Sequence, residues 1–431
     1  MDFIKRYWKK FLFAVLFICL FVPLLVKSLN LVNEQPLGGV TYKIDKPILT
    51  DSTWFNGEFQ ILAERYINEN IGLRGTVIRI NNQIDFTFYK KTGAEKVVIG
   101  KDNYLYENNY IDAYLGTDYI GDEKINSLSN QAKKCEEILE DMSIKLLFVF
   151  APGKASFYPE YIPENYPKLE KSTKTNYKEF KKSLQSNNLN YIDFNSWFIN
   201  MKDTSTYPLF PKAGIHWSYY GMYLCADSLI KKVEKDINKD LPELSLENLE
   251  ISSEQRHTEY DLGNLMNLYY PIKTYDLAYP SYSYNKEGKY RPNVLVVGDS
   301  FYWNMYYSGI PGNVFNGLNF FYYNSKYFND GTDKYKAEIK NLDFLEEISK
   351  YEYIIILQTD GGLNNFGFGF FNKLLSVTNM VDLSPEVKEI IQNIKNDQNW
   401  MMHIEQKAKE RGISVDEMLV IDAEYMLSQQ Q

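Results

Sequence analysis

The sequence predicts an α/β domain built on a doubly wound parallel sheet, preceded by one membrane helix and followed by a helical tail. Three observations carry this reading. First, four short segments are almost continuously apolar: 144–150 (IKLLFVF), 191–194 (YIDF), 293–297 (NVLVV) and 353–357 (YIIIL). Runs of this length without strict alternation are strands covered on both faces. Second, helix-compatible stretches at 124–142, 171–186 and 219–237 lie among them. Alternating strands and helices give a parallel sheet with its functional residues at the carboxyl ends of the strands. Third, one long apolar run stands near the N-terminus, and no other run reaches 18 residues.

That run occupies 11–26, behind Lys5, Arg6, Lys9 and Lys10. Residues 28–32 extend it toward the roughly 20 residues a bilayer span needs. The basic flank belongs on the cytoplasmic side, so the remainder faces outward. A cleaved signal peptide is the rival, but no small-residue cleavage motif follows the run. Ile18 also stands before Cys19, where a lipoprotein signal needs a small residue. The segment therefore reads as an uncleaved, single-pass signal anchor in the cell membrane, and Pro23 within it is compatible with a span. Residues 33–50 contain Pro36, Gly38, Gly39 and Pro47 and read as a tether; 54–92 read as helix. The segment 95–107 (EKVVIGKDNYLYE) reads as strand, turn and strand.

Beyond residue 363 the strand signals stop. The segment 385–431 reads as a helical hairpin, with Ile390, Ile391, Ile394, Trp400, Ile404 and Ala408 at helical spacing, a break at Gly412 and a capping box opening at Ser414. The expected organisation is a basic flank and anchor over 1–32, a tether and helical region over 33–94, a catalytic domain over 95–375 and the hairpin over 376–431.

Composition narrows the function. Apolar residues at 45% and charged residues at 24% belong to a globular chain with a core. A formal charge of −9 without a basic patch excludes nucleic acid as a partner. Cys19, Cys135 and Cys225 form no CxxC or Cys/His cluster, so neither a zinc site nor a disulfide framework is expected. With only three histidines, His216, His257 and His403, histidine chemistry has few candidates. The 36 tyrosines suit stacking on sugar rings, although an AT-rich coding sequence yields the same abundance.

Two motifs carry chemistry. In NVLVVGDSFYWN (293–304) a buried strand runs into Gly298-Asp299-Ser300 and then into helix-compatible residues. Glycine permits the tight turn, and backbone N–H groups at the start of a helix can stabilise an oxyanion. A strand-to-helix turn with a capping serine gives the same pattern. In FPKAGIHWSYYG (210–221), His216 precedes a helix. A serine nucleophile needs a general base, and histidine has the suitable pKa; a histidine packed among aromatics is the alternative. His257 and His403 sit in polar sequence and are weaker candidates.

Taken together, these motifs resemble a known family. Gly-Asp-Ser after a strand is similar to the nucleophile block of SGNH/GDSL hydrolases. A His-Trp motif placed before that block resembles the circularly permuted alginate O-acetyltransferase proteins (AlgX/AlgJ-like, DHHW-like). The stretches 54–86, 97–116 (VVIGKDNYLYENNYIDAYLG) and 150–163 (FAPGKASFYPEYIP) extend the resemblance over roughly 50–375. It implies a flavodoxin-like SGNH three-layer sandwich with Ser300 as nucleophile and His216 as base. It also implies acetyl transfer to the hydroxyls of a cell-surface or secreted polysaccharide through an acyl-Ser300 intermediate. The acetyl donor would be a multi-pass membrane-bound O-acyltransferase, and no cofactor or metal is required. An acetylesterase using the same pair, and an inactive polysaccharide-binding assembly subunit, are the alternatives.

The sequence departs from the family pattern at Gly214, where an acid normally stands two residues before the histidine. Either the site is a Ser–His dyad, or Asp360, just past the strand 353–357, supplies the acid, or the protein is inactive. Asp261 and Asp299 are weaker substitutes. Tyr323 or Asn324, in the aromatic segment after the nucleophile helix, could reach the site as an oxyanion donor.

Overall fold

The computed structural model describes residues 2–39, 44–167, 171–381, 383–411 and 415–430. The chain divides into two compact units. One comprises Met1–Glu107, Lys212–Ile215 and Tyr260–Tyr275; the other comprises Asn108–Pro211, His216–Glu259 and Asp276–Gln431.

In the first unit the N-terminal helix runs from Asp2 to Ser28. Its segment Tyr7–Ser28 has a mean hydropathy of 2.5 and buries none of its residues, so by length and composition it can cross a membrane. The region expected as one helix over 54–92 is instead broken into Asp51–Phe55, Glu58–Asn70 and Arg74–Ile84, with one π-helical turn over Asp85–Tyr89. The breaks fall where the backbone turns left-handed, at Gly57 and Leu73. Strands β1 (Val97–Ile99) and β2 (Leu105–Glu107) pair antiparallel, as the sequence predicts. Asp102 and Asn103 supply the positive φ angles of their turn.

Among its described residues the second unit has nine strands: β3 (Lys145–Ala151), β4 (Tyr191–Asp193), β5 (Glu243–Ser252), β6 (Leu277–Asn285), β7 (Val294–Gly298), β8 (Asn319–Tyr322), β9 (Lys326–Phe328), β10 (Ala337–Glu338) and β11 (Tyr353–Thr359). Seven form one sheet in the order β10-β9-β8-β7-β11-β3-β4. Pairing is parallel from β4 to β8, while β9 and β10 add antiparallel. All four apolar runs are parallel strands of this sheet, so the expected α/β architecture stands. The sheet is mixed rather than wholly parallel, because a tight turn after β8 sends the chain straight back along its neighbour. Strands β5 and β6 form a separate antiparallel ribbon.

Every residue of β11 is buried, which places this strand at the centre of the hydrophobic layer. Leu146, Phe148, Phe150, Leu295, Val297, Ile354 and Ile356 share one cluster with Ala132, Cys135 and Leu139 of the helix Asp122–Asp141 and with Phe180 and Leu184 of the helix Asn176–Ser186. Full burial of such side chains contributes about 1.5–3 kcal/mol each. Cys135 lies in this layer, and burial pushes its thiol up to about 12.

At the C-terminus the expected hairpin is three helices, Pro385–Asn396, Gln398–Arg411 and Val415–Gln430. They share a small core that includes Ile394, Ile404, Ala408, Leu419 and Ala423. The extra break is at Asp397, which leaves helical geometry and accepts the N–H groups of Asn399 and Trp400. The predicted break at Gly412 and cap at Ser414 lie outside the described residues.

Candidate active site

β7, β11 and β3 are adjacent, so their carboxyl ends bring three short segments together: Asp299-Ser300, Asp360 and Pro152-Gly153. Gly298 closes β7 because a Cβ there would stand 3.2 Å from the Leu357 carbonyl oxygen. The next residue, Asp299, is 2% exposed. Its Oδ2 accepts the Thr359 N–H and the Thr359 Oγ1 hydroxyl, both at 2.8 Å, and its Oδ1 accepts the Phe301 N–H at 3.0 Å. Burial pushes this carboxyl above its ordinary range, and those hydrogen bonds oppose the push. Asp299 thus ties the end of β7 to the end of β11 and fixes the turn in which Ser300 stands. The sequence reading treated it as a poor substitute acid and missed this bracing role, although its place directly after a strand was the available signal.

His216 enters from the loop before the helix Tyr219–Ile237. Ser218 caps that helix by accepting the Gly221 N–H at 3.0 Å, and its own hydroxyl donates to the Pro208 carbonyl at 2.7 Å. Glu259 is wholly buried and accepts the Tyr219 N–H at 3.0 Å and the Tyr279 hydroxyl at 2.6 Å. Burial raises its carboxyl. The His216 ring packs against Phe301 at 4.9 Å between centroids. From this position His216 Nε2 lies 2.9 Å from Ser300 Oγ. The structure therefore brings together the two residues that the motifs singled out, one nine-tenths buried and the other half-buried.

Tyr323 also reaches the site. Burial raises its phenol well above the usual value, and neighbouring Ser300 tempers that rise. The residue as a whole is 43% exposed. The backbone explains the placement. Tyr323 N–H donates to the Gly298 carbonyl at 2.9 Å, and Ser325 N–H closes the turn onto the Tyr322 carbonyl at 3.0 Å. Tyr323 and Asn324 both take positive φ, 47° and 49°. Tight hairpin turns want that conformation, but Asn and Gly supply it far more readily than a tyrosine does. Phe368, which meets the Tyr323 ring edge-on at 5.2 Å, also has positive φ. Such strain collects where a side chain must be held against local preference.

Two expectations need correction. Asp360 does not hydrogen-bond His216. It is 3% exposed, its Oδ2 accepts the Ser156 hydroxyl at 2.5 Å, and its Oδ1 has no hydrogen-bond partner. It faces the end of β3, where a Cβ on Gly153 would stand 1.9 Å from its Oδ1. Burial, with smaller repulsion from Asp118 and Asp299, raises this carboxyl to about 7. Second, the Phe301 N–H at the helix start is taken by Asp299 and is not available to an oxyanion. Asn324 points its amide toward the Phe368 carbonyl at 3.4 Å. In the other unit, Asp261 accepts the N–H groups of Ile215 and Leu262 at 3.0 and 2.7 Å, bracing the residue that directly precedes His216 in the chain.

With this geometry in view, the family of the SGNH hydrolase-like domain of acetyltransferase AlgX matches residues 97–308, a span that contains both His216 and Ser300. This segment is similar to the SGNH hydrolase-like domain of AlgX. Similar solved structures include the O-acetyltransferase domain of Pseudomonas putida AlgJ, 15% identical, covering 66% of this chain and 99% of that one with a TM-score of 0.44. Pseudomonas aeruginosa AlgX is 12% identical, covering 64% of this chain and 66% of that one with a TM-score of 0.38. Bacillus cereus PatB1 is 11% identical, covering 64% of this chain and 99% of that one with a TM-score of 0.40. No curated protein sequence matches the chain.

Proposed function

We propose that this AlgX-type domain is an extracytoplasmic O-acetyltransferase that passes an acetyl group through Ser300 to the hydroxyls of a cell-surface or secreted polysaccharide. The observation that carries the proposal is the 2.9 Å contact between His216 Nε2 and Ser300 Oγ. His216 takes the hydroxyl proton as Ser300 attacks the acetyl carbonyl of the donor. The oxyanion of the tetrahedral adduct is met by the Tyr323 hydroxyl and the Ser300 N–H, since a phenol kept neutral remains a donor. His216 returns its proton to the leaving group. It then takes a proton from a sugar hydroxyl, which attacks the acyl-enzyme and restores Ser300. Asp299 positions the nucleophile without touching the reacting atoms.

The helix Tyr7–Ser28 and the basic residues before it support a single-pass anchor with a cytoplasmic N-terminus. On this reading 1–32 anchor the chain, 33–94 tether it, 95–375 form the catalytic region and 376–431 its helical tail. Acetyl-CoA is cytoplasmic, so a multi-pass membrane O-acyltransferase would hand the acetyl group across. An acetylesterase reading is favoured by one observation: Ser300 is only half-buried, so water can reach it.

The full chain in detergent, given p-nitrophenyl acetate and an oligosaccharide, decides between these readings. Acetyl-sugar formed by the wild type and lost in Ser300→Ala and His216→Ala supports the transferase. Acetate alone supports the esterase. Absence of any acetyl-Ser300 by mass spectrometry, with sugar binding intact, overturns both in favour of a binding subunit.

A further inference from the structure

We infer that the helix Arg74–Ile84 and the turn after it lie in the outer headgroup layer of the bilayer, holding their unit to the lipid surface by a stripe of apolar side chains. The inference rests on the single-pass anchor reading and adds a second membrane contact beside the anchor. The stripe is Val77, Ile80, Ile84 and Phe88, which are 61%, 45%, 46% and 75% exposed. Spacings of three and four residues put them on one side of the helix and of the π-helical turn that continues it. The opposite side is already occupied. Gly75 and Phe86 are buried there, and Asn82 donates its amide to the Met266 carbonyl at 3.0 Å. The helix is therefore apolar on a side that packing within its unit does not use. An apolar stripe of this kind marks an interaction surface.

The anchor identifies what covers it. The turn that opens this helix, Ile71 to Leu73, sits on the outer end of the anchor helix. A Cβ on Gly72 would stand 2.4 Å from the Pro23 carbonyl oxygen and 3.0 Å from the Lys27 backbone nitrogen. Within Tyr7–Ser28 only Val22, Pro23 and Val26 are partly covered. Two further ties hold the helix there: Glu34 Oε1 accepts the Thr76 N–H at 2.7 Å, and Arg79 Nη2 donates to the Pro36 carbonyl at 2.8 Å. A span of 22 residues is about 33 Å long, against a hydrocarbon core of about 30 Å. Pro23 is about 8 Å along the axis from the last residue of that span, Ser28. The turn thus meets the anchor at the depth where hydrocarbon gives way to headgroups, which is where an interfacial helix rests.

Charge agrees with a lipid surface. The helix Arg74–Ile84 (RGTVIRINNQI) carries two arginines and no acid. Directly after Phe88 come Tyr89, Lys90 and Lys91, all exposed. Aromatic and basic side chains beside an apolar stripe suit the interface of a membrane with anionic lipids.

The test uses the full chain in vesicles of phosphatidylethanolamine and phosphatidylglycerol, with a nitroxide label on one cysteine at a time. Cys135 and Cys225 are buried, so the wild type takes the label at Cys19, inside the anchor. Ile80→Cys and Ile84→Cys are labelled in a Cys19→Ala background. Glu287→Cys, in an exposed turn of the other unit, is the aqueous reference. Electron paramagnetic resonance compares collisions with oxygen, which enters lipid, and with a water-soluble nickel chelate. The oxygen-to-nickel ratio at both stripe positions is expected about fivefold above the reference, as for side chains sunk some 5–10 Å past the headgroups. A ratio at either stripe position equal to the reference, with the Cys19 label in lipid, overturns the inference and leaves the stripe to a protein partner. A Cys19 label that reads as aqueous instead defeats the underlying anchor reading.

Discussion

The ends of β7 and β11 lie side by side on one sheet edge, and each delivers an aspartate, yet the two ends do opposite things. After β7, Asp299 has both oxygens satisfied and holds Ser300 half-open beside His216. After β11, Asp360 is sealed against Gly153 and Ser156 with one oxygen unpartnered. Position on a sheet edge therefore does not make a residue part of a site. What decides is whether local hydrogen bonds aim the side chain outward at a reacting atom or inward at the scaffold.

The sharpest way to break this contrast is to remove the β7 pair. Ser300→Ala and His216→Ala should each lower acetyl transfer by about 10⁴-fold or more, as removal of a nucleophile or base does. Chain stability should hardly change, and thermal melts would check that. A residual rate within tenfold of wild type would mean that the 2.9 Å contact is not the reacting one.

At the β11 end the expected effect is on stability. Asp360 is protonated more readily in the folded chain, near pH 7, than at its ordinary value of 3.8. The folded state binds the extra proton, so stability is full below about pH 4 and falls as pH rises toward about 7. The loss amounts to roughly 2–4 kcal/mol, taking about 1.4 kcal/mol per unit. Asp360→Asn should abolish that slope in urea unfolding measured across this range. Its acetyl transfer should stay within about tenfold of wild type. A loss near 10⁴-fold, the effect of removing an orienting acid, would move Asp360 into the catalytic machinery and erase the contrast.

Tyr323→Phe keeps the strained turn and the ring but removes the donor. A fall in kcat of about 10²-fold is expected, the usual effect of losing one oxyanion donor. Burst kinetics with p-nitrophenyl acetate would read it, and an unchanged burst rate would assign the oxyanion to other groups. The smallest effect should come from Gly153→Ala. Its methyl group cannot coexist with the Asp360 carboxyl as placed, so overpacking should destabilise the unit by about 1–3 kcal/mol. In the background of Asp360→Ala that penalty should largely disappear, because the clashing carboxyl is gone.

Legibility followed the same division. The four apolar runs announced the central strands because burial on both faces leaves no polar position in a strand. Glycine before Asp299 and Ser300, and tryptophan after His216, were visible because tight turns and loop anchors demand particular residues at fixed neighbours. The β8–β9 return was not visible, since Tyr322, Tyr323 and Asn324 lack the Asn-Gly signature of such a turn. The β5–β6 ribbon was missed although part of its first strand (ELSLENLEIS) alternates, a period-two signal that could have found it.

By itself, the sequence determined the apolar N-terminal helix and the α/β order, and it singled out Ser300 and His216 as candidates, all from local pattern and neighbouring residues. Tertiary structure alone decided the rest. It alone set the distance between Ser300 and His216, the inward turn of Asp360, the brace made by Asp299 and the arrival of Tyr323. Each of these depends on which strand ends become neighbours and which buried polar groups find partners there. That is settled by packing between segments far apart in the chain, and no local pattern records it.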